Sequence, residues 1–188
     1  MKKDLIRKTY LKKRQELNSS IFQEESAKLI KKTLDLIKSY NPKCVHCFIP
    51  INTKYEIDTL PIIRYCWKNN INVVVPISNF EDATLKTAEF GPKTKTKQTK
   101  NNITEPIDPV WQKTEAINLV ITPLLAFDSK GYRVGYGKGF YDRFFASLNN
   151  DVKKIGISLF EHCKNIENIN KQDIPLTHCV TPNKTYSF

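Results

Sequence analysis

Residues 119–143 restrict the fold more than any other stretch of the chain. Leu119-Val-Ile-Thr-Pro-Leu-Leu-Ala is a nearly continuous apolar run. It is followed within five residues by Gly131-Tyr-Arg-Val-Gly-Tyr-Gly-Lys-Gly and then by Phe140-Tyr-Asp-Arg-Phe-Phe-Ala. An apolar run without alternation reads as a strand covered on both faces, as in parallel sheets flanked by helices. Gly131, Gly135, Gly137 and Gly139 account for four of the six glycines in the chain. Glycine tolerates positive φ and lets a backbone approach a ligand closely. Strand, glycine loop and helix in that order place backbone N–H groups at the C-terminal edge of a sheet, where α/β folds bind anions.

The rest of the chain fits that frame. Residues 3–17 read as a basic amphipathic helix, and residues 20–40 as a second one. The second opens with Ser20 and Gln23 at capping-box spacing and stops before Pro42. Cys44–Ile51, Ile71–Ile77, Leu85–Phe90, Leu119–Ala126 and Lys154–Phe160 read as strands, with a short last one near Val180. Helices are expected over 58–69, capped by Asp58, and over 139–149. The alternation predicts a single-domain, three-layer α/β/α sandwich over residues 1–188, with a largely parallel, mixed sheet of Rossmann-like type. Residues 91–102 carry Lys93, Lys95, Lys97 and Lys100 among threonines and no periodicity. They read as a surface loop, or as a flap that closes over an anionic ligand.

Composition narrows the classes of function. The net charge is +11, which suits either nucleic acid or a polyanionic small molecule. The lysine-rich stretch has no interleaved aromatics of the kind that stack on bases, so nucleic acid is not the expected partner. No apolar run approaches the ~20 residues of a membrane span, and the Met-Lys-Lys-Asp start resembles no signal peptide. A cytoplasmic monomer with free thiols is expected. Cys44 and Cys47 are spaced C-x-x-C, but strand alternation sends them to opposite faces, against a metal or redox pair.

In the glycine loop, Arg133 and Lys138 can neutralise phosphate charge. Asp142 suits Mg²⁺ beside phosphates, or simply complements a helix N-terminus. Neither a Walker A loop nor a dinucleotide fingerprint is present. The residues alone therefore give an anion cradle.

The run from Pro123 to Arg143 resembles the signature of the 5-formyltetrahydrofolate cyclo-ligase family, also called 5,10-methenyltetrahydrofolate synthetases. Lys3 and Arg7, Glu56, Glu105-Pro106 and the Asp173-x-Pro175 to Thr181 pattern extend the resemblance over most of the chain. It implies ATP-driven conversion of 5-formyltetrahydrofolate to 5,10-methenyltetrahydrofolate, by phosphorylation of the formyl oxygen and ring closure by the nitrogen at position 10. It also implies roles residue by residue. Lys3, Arg7 and the stretch Arg133, Val134, Gly135, Tyr136, Gly137, Lys138, Gly139, Phe140 and Tyr141 would hold ATP. Ile51, Glu56 and Tyr136 through Phe140 would border a reduced folate, with or without a polyglutamate tail. Arg133, Lys138 and Tyr141 would serve the chemistry. Asp142 and Asp173 would hold Mg²⁺. The family often carries His-Asp and a further Asp where this chain has Gln172-Asp173 and Thr177.

Overall fold

The computed structural model describes residues 1–188. Two helices come first, α1 (Lys3–Gln15) and α2 (Ser19–Tyr40), followed by β1 (Cys44–Cys47), α3 (Leu60–Lys68), β2 (Asn72–Asn79) and β3 (Thr84–Glu89). A ribbon of β4 (Thr96–Gln98) and β5 (Thr104–Pro106) precedes β6 (Trp111–Gln112) and β7 (Leu119–Pro123). Next come β8 (Ala126–Phe127), β9 (Arg133–Val134) and α4 (Phe140–Ala146), then β10 (Lys153–Ile157), β11 (His178–Val180) and β12 (Thr185–Ser187).

Eight strands form one sheet in the order β12-β11-β10-β7-β1-β2-β3-β6. The five central strands are parallel, and β12, β3 and β6 add antiparallel edges. This is the expected mixed α/β architecture. The two chain directions diverge between β1 and β7, so the switch point lies at their C-terminal ends.

Alternation along the strands builds two cores. Val45, Cys47, Val73, Val75, Leu119, Ile121, Ile155 and Ile157 meet Leu29, Ile37, Ile62 and Ile63 of α2 and α3. Cys44, Val74 and Val120 meet Phe144 and Phe145 of α4 on the opposite face. Each fully buried Ile, Leu or Phe contributes roughly 1.5–3 kcal/mol through apolar transfer. The two cysteines of the C-x-x-C do lie on opposite faces, and all five thiols are free and buried. Helix α1 packs Ile6 and Tyr10 against Leu125, Ala126 and Val134, holding the β8–β9 ribbon.

Several boundaries differ from expectation. Helix α2 is capped by Asn18, whose side chain accepts from Ser20 N–H, rather than by Ser20. At α3, Thr59 holds the cap position, while the Asp58 carboxylate accepts from Leu60 N–H. Strand β1 stops at Cys47, because Phe48 to Glu56 turn away to line a cavity. The run 119–126 is two pieces: Pro123 ends β7, and Ala126–Phe127 pair instead with Arg133–Val134. Helix α4 ends at Ala146, and β10 ends at Ile157. The stretch 91–102 is not a structureless loop. It contains β4, paired with β5 in the register Lys97 to Glu105.

Candidate active site

The glycine loop starts where the β8–β9 ribbon ends. Gly137 and Gly139 adopt φ of 96° and 71°, in the left-handed region that side-chain-bearing residues disfavour. At Gly137 a second constraint applies, since a Cβ there would lie 3.1 Å from the Arg7 guanidinium carbon. Arg7 Nε donates to Gly135 O at 3.0 Å, so α1 props the loop from one side. None of the backbone N–H groups of residues 135–139 donates to a protein acceptor. The result is a row of unpaired donors at the mouth of a cavity of about 450 Å³. Because α4 has only seven residues, this row, more than the helix dipole, would make the loop an anion cradle.

The cavity opens at the switch point. The segment after β1 supplies Phe48, Ile49, Ile51, Lys54 and Glu56 to its wall, and β7 supplies Pro123. The loop and α4 supply Arg133, Gly135 through Tyr141, and Asp142. Thus Ile51, Glu56, Arg133 and the residues 135–142 line one cavity. Val134 does not line the cavity, and its side chain is buried against α1. Lys3, Arg7 and Asp173 stand outside the wall: Lys3 pairs with Asp173, and Arg7 with Asp4 and the loop.

Glu56 is the buried charge of the site. Its Oε2 accepts from Ile51 N–H at 2.8 Å and its Oε1 from the Tyr136 hydroxyl at 2.7 Å. Burial raises its pKa above the usual carboxylate value, opposed by those two hydrogen bonds and by Arg14 and Lys54. Glu56 and Ile49 also wall a second cavity of about 750 Å³, lined by Arg14, Phe22, Tyr55 and Phe90.

The cations divide into free and committed. The Lys138 ammonium makes no hydrogen bond or ion pair and lines the cavity. Arg133 is buried. It donates to Ile174 O and to Asp142 Oδ1, the latter at 2.9 Å, and stacks 4.4 Å from the Phe145 ring. Burial lowers its pKa, with Asp142 acting in the opposite direction. The Tyr141 hydroxyl is buried with no protein partner, and burial keeps its pKa well above the usual value, so it remains a donor.

The two aspartates are linked through the Asp173–Ile174 segment. Asp142 Oδ1 accepts from Arg133 and from Ile174 N–H, and Asp173 Oδ2 accepts from Lys3 and from Asn170 N–H. The second oxygen of each carboxylate makes no hydrogen bond. No three His, Cys, Asp or Glu side chains gather as a ligand cluster. Any Mg²⁺ here would be completed by phosphate oxygens and water, as is usual for that ion. Thr177, at the position of the family's further carboxylate, hydrogen-bonds the Lys154 backbone instead.

The model of the 5-formyltetrahydrofolate cyclo-ligase family matches residues 1–182. The chain belongs to this family. Its members are ligases that close a carbon–nitrogen bond. The cyclo-ligase of Haemophilus influenzae is 30% identical over 181 residues, covering 93% of this chain and 95% of that protein. The cyclo-ligase of Escherichia coli K12 is also 30% identical, over 71% of this chain and 75% of its own length. The solved 5,10-methenyltetrahydrofolate synthetase of Aquifex aeolicus superposes with a TM-score of 0.79 at 25% identity, covering 100% of this chain and 93% of that one. The synthetase of Mycoplasma pneumoniae shares the fold, with a TM-score of 0.77 at 22% identity.

Reading the sequence alone missed Arg14, Lys54, Phe80, Asn101 and Ile103, all of which line one of the two cavities. For Arg14 a signal existed. It follows Ile6 and Tyr10 at spacings of four, so an arginine sits on the apolar stripe of α1.

Proposed function

We propose that this cyclo-ligase converts 5-formyltetrahydrofolate to 5,10-methenyltetrahydrofolate, with ATP as the phosphoryl donor and Mg²⁺ as its counter-ion. The observation that carries the reading is the shared wall. The unpaired N–H groups of residues 135–139 and the free Lys138 ammonium open onto the same cavity as the buried acceptor Glu56.

The loop N–H groups and Lys138 would hold phosphate oxygens and neutralise charge that builds up during transfer. Bound there, ATP supplies the phosphoryl group that turns the formyl oxygen into a leaving group. Glu56 would take the adjacent N–H donors of the pterin edge. Ile51 and Phe140 supply apolar wall, and Phe80 packs edge-on against Phe140 at 5.2 Å, narrowing the mouth. Tyr141, kept protonated by burial, would donate to a developing oxyanion. Arg133 ties Asp142 to the Ile174 segment next to Asp173, and the free oxygens of Asp142 and Asp173 would hold Mg²⁺. Lys3 and Arg7 support this arrangement from α1. Five buried free thiols suit a reducing compartment, and the cytoplasm is the proposed setting.

The test is direct. Purified protein given Mg-ATP and 5-formyltetrahydrofolate should develop the near-ultraviolet absorbance of the methenyl product, with one ADP formed per product. Folded protein that yields neither product nor ADP would overturn the proposal. So would salt-dependent nucleic-acid binding unaccompanied by ATP turnover.

A further inference from the structure

Glu56 does not meet the cavity alone. Behind it runs a chain of polar contacts that starts on α1. Arg14 is buried, with 4% of its surface exposed. Its Nη2 donates to Leu124 O at the turn after β7, and its Nη1 lies 3.4 Å from the Tyr136 hydroxyl. That hydroxyl donates to Glu56 Oε1 at 2.7 Å. The direction of the chain follows from chemistry. A guanidinium has only donors, so toward Arg14 the tyrosine oxygen can only accept. Its single proton then has one place to go, which is Glu56.

We propose that Arg14 is a positioning residue for folate recognition: by fixing the Tyr136 hydroxyl as a donor, it holds Glu56 as an acceptor-only carboxylate and so selects a ligand edge made of N–H donors. This rests on the function proposed above and adds to it the element that sets specificity. Each Glu56 oxygen already accepts one bond, from Ile51 N–H or from Tyr136. A carboxylate has about four lone-pair sites, so acceptor capacity toward the cavity remains. A Glu56 free of this chain could take up a proton in its buried site and present an O–H. It would then repel the donor pair of a pterin edge and accept ligands with acceptors there.

The groups facing Glu56 are few. Arg14 comes from α1, Lys54 from the turn after β1, Tyr136 from the glycine loop and Tyr141 from α4. Burial raises the Glu56 pKa, while Ile51 N–H, the Tyr136 hydroxyl, Arg14 and Lys54 lower it, in that order of influence. Burial, the Glu56 charge and the bond to Glu56 hold the Tyr136 pKa far above neutral pH, so the hydroxyl keeps its proton throughout the working range.

The experiment compares Tyr136→Phe, Arg14→Gln, Arg14→Lys and the double variant Arg14→Gln/Tyr136→Phe by kinetics across pH. Tyr136→Phe keeps the ring and removes only the hydroxyl. It should raise KM for 5-formyltetrahydrofolate roughly tenfold, as expected for losing a hydrogen bond to a charged group. KM for ATP should stay near the wild-type value. The acid limb of kcat/KM should move to higher pH, since a contact that lowers the Glu56 pKa is gone. Arg14→Gln should shift the same parameters in the same direction, and Arg14→Lys, still donor-only, should recover part of the loss. The double variant should be less impaired than the product of the two single effects, because both act on one hydroxyl. An unshifted acid limb and unchanged folate KM in folded Tyr136→Phe would overturn the inference, even if Arg14→Gln cannot be purified folded. Fully multiplicative effects would overturn it as well. If the wild-type enzyme makes no methenyl product, it is the proposed function that fails, and the two failures are distinguishable.

Discussion

At the scale of single residues, the site separates groups that the sequence lists side by side. Arg133 and Lys138 look equivalent in the glycine loop, yet the structure commits the first to Asp142 and Ile174 and leaves the second free. Lys138→Ala should therefore lower kcat by roughly a hundredfold or more, as when a charge-stabilising donor is lost, with little change in thermal stability. Single-turnover measurement of product formation, set beside a melting curve, checks both halves. Arg133→Ala should instead lose stability first, because it leaves the part-buried Asp142 without its partner. Glu56→Gln keeps the shape and removes the charge, so KM for folate should rise roughly ten- to a hundredfold, the value of a charge-assisted bond. An unchanged KM would remove Glu56 from the folate wall.

At the scale of elements, the strongly patterned segments could be read directly and the weakly patterned ones could not. The β-branched residues of β2, the unbroken apolar run of β7 and the spaced leucines and isoleucines of α2 announce their type because burial dictates their composition. Strand β4 announces nothing: Thr96, Lys97 and Gln98 are exposed on both faces, so no apolar period exists to reveal it. Its order comes from the partner strand. Buried Glu105 on β5 accepts from Ser78 N–H, which ties the ribbon to the C-terminal end of β2. The glycine loop was legible for the opposite reason, since its constraints are local ones of φ and charge. The contacts that complete it, from Arg7, Arg14 and Ile174, arrive from the chain ends, and nothing within the loop itself encodes them. Asn101 and Ile103, at the turn of the β4–β5 ribbon, line the cavity mouth. Binding of Mg-ATP with the folate should slow tryptic cleavage after Lys97 and Lys100, and folate alone should do so less. Cleavage at an unchanged rate with both ligands bound would mean the ribbon takes no part in closure.

At the scale of the whole molecule, the central strand carries a cost that pH can reveal. His46 lies on β1, fully buried, beside the rings of Phe144 at 4.6 Å and Tyr141 at 6.0 Å. Neither ring nitrogen has a hydrogen-bond partner in the protein. Burial disfavours the imidazolium and holds the pKa at about 3, well below the 6.5 of an unhindered histidine. The unfolded chain therefore binds a proton below about pH 6.5 that the folded chain refuses until about pH 3. Stability linked to this group is complete above the unfolded value and is lost as pH falls through that window. At 1.36 kcal/mol per unit, the window corresponds to an upper bound on the order of 5 kcal/mol, a sizeable share of the ~5–15 kcal/mol that holds a domain folded. Since β1 sits between β7 and β2 in the middle of the sheet, the penalty falls on the cooperative core rather than on an edge. His46→Phe keeps an aromatic ring among aromatic neighbours and removes the titratable group. Its unfolding free energy, measured by urea titration between pH 7 and pH 4, should fall less steeply with acid than that of the wild type. Equal slopes would mean that the ring nitrogens of His46 are solvated in solution, and that the acid sensitivity of the fold resides elsewhere.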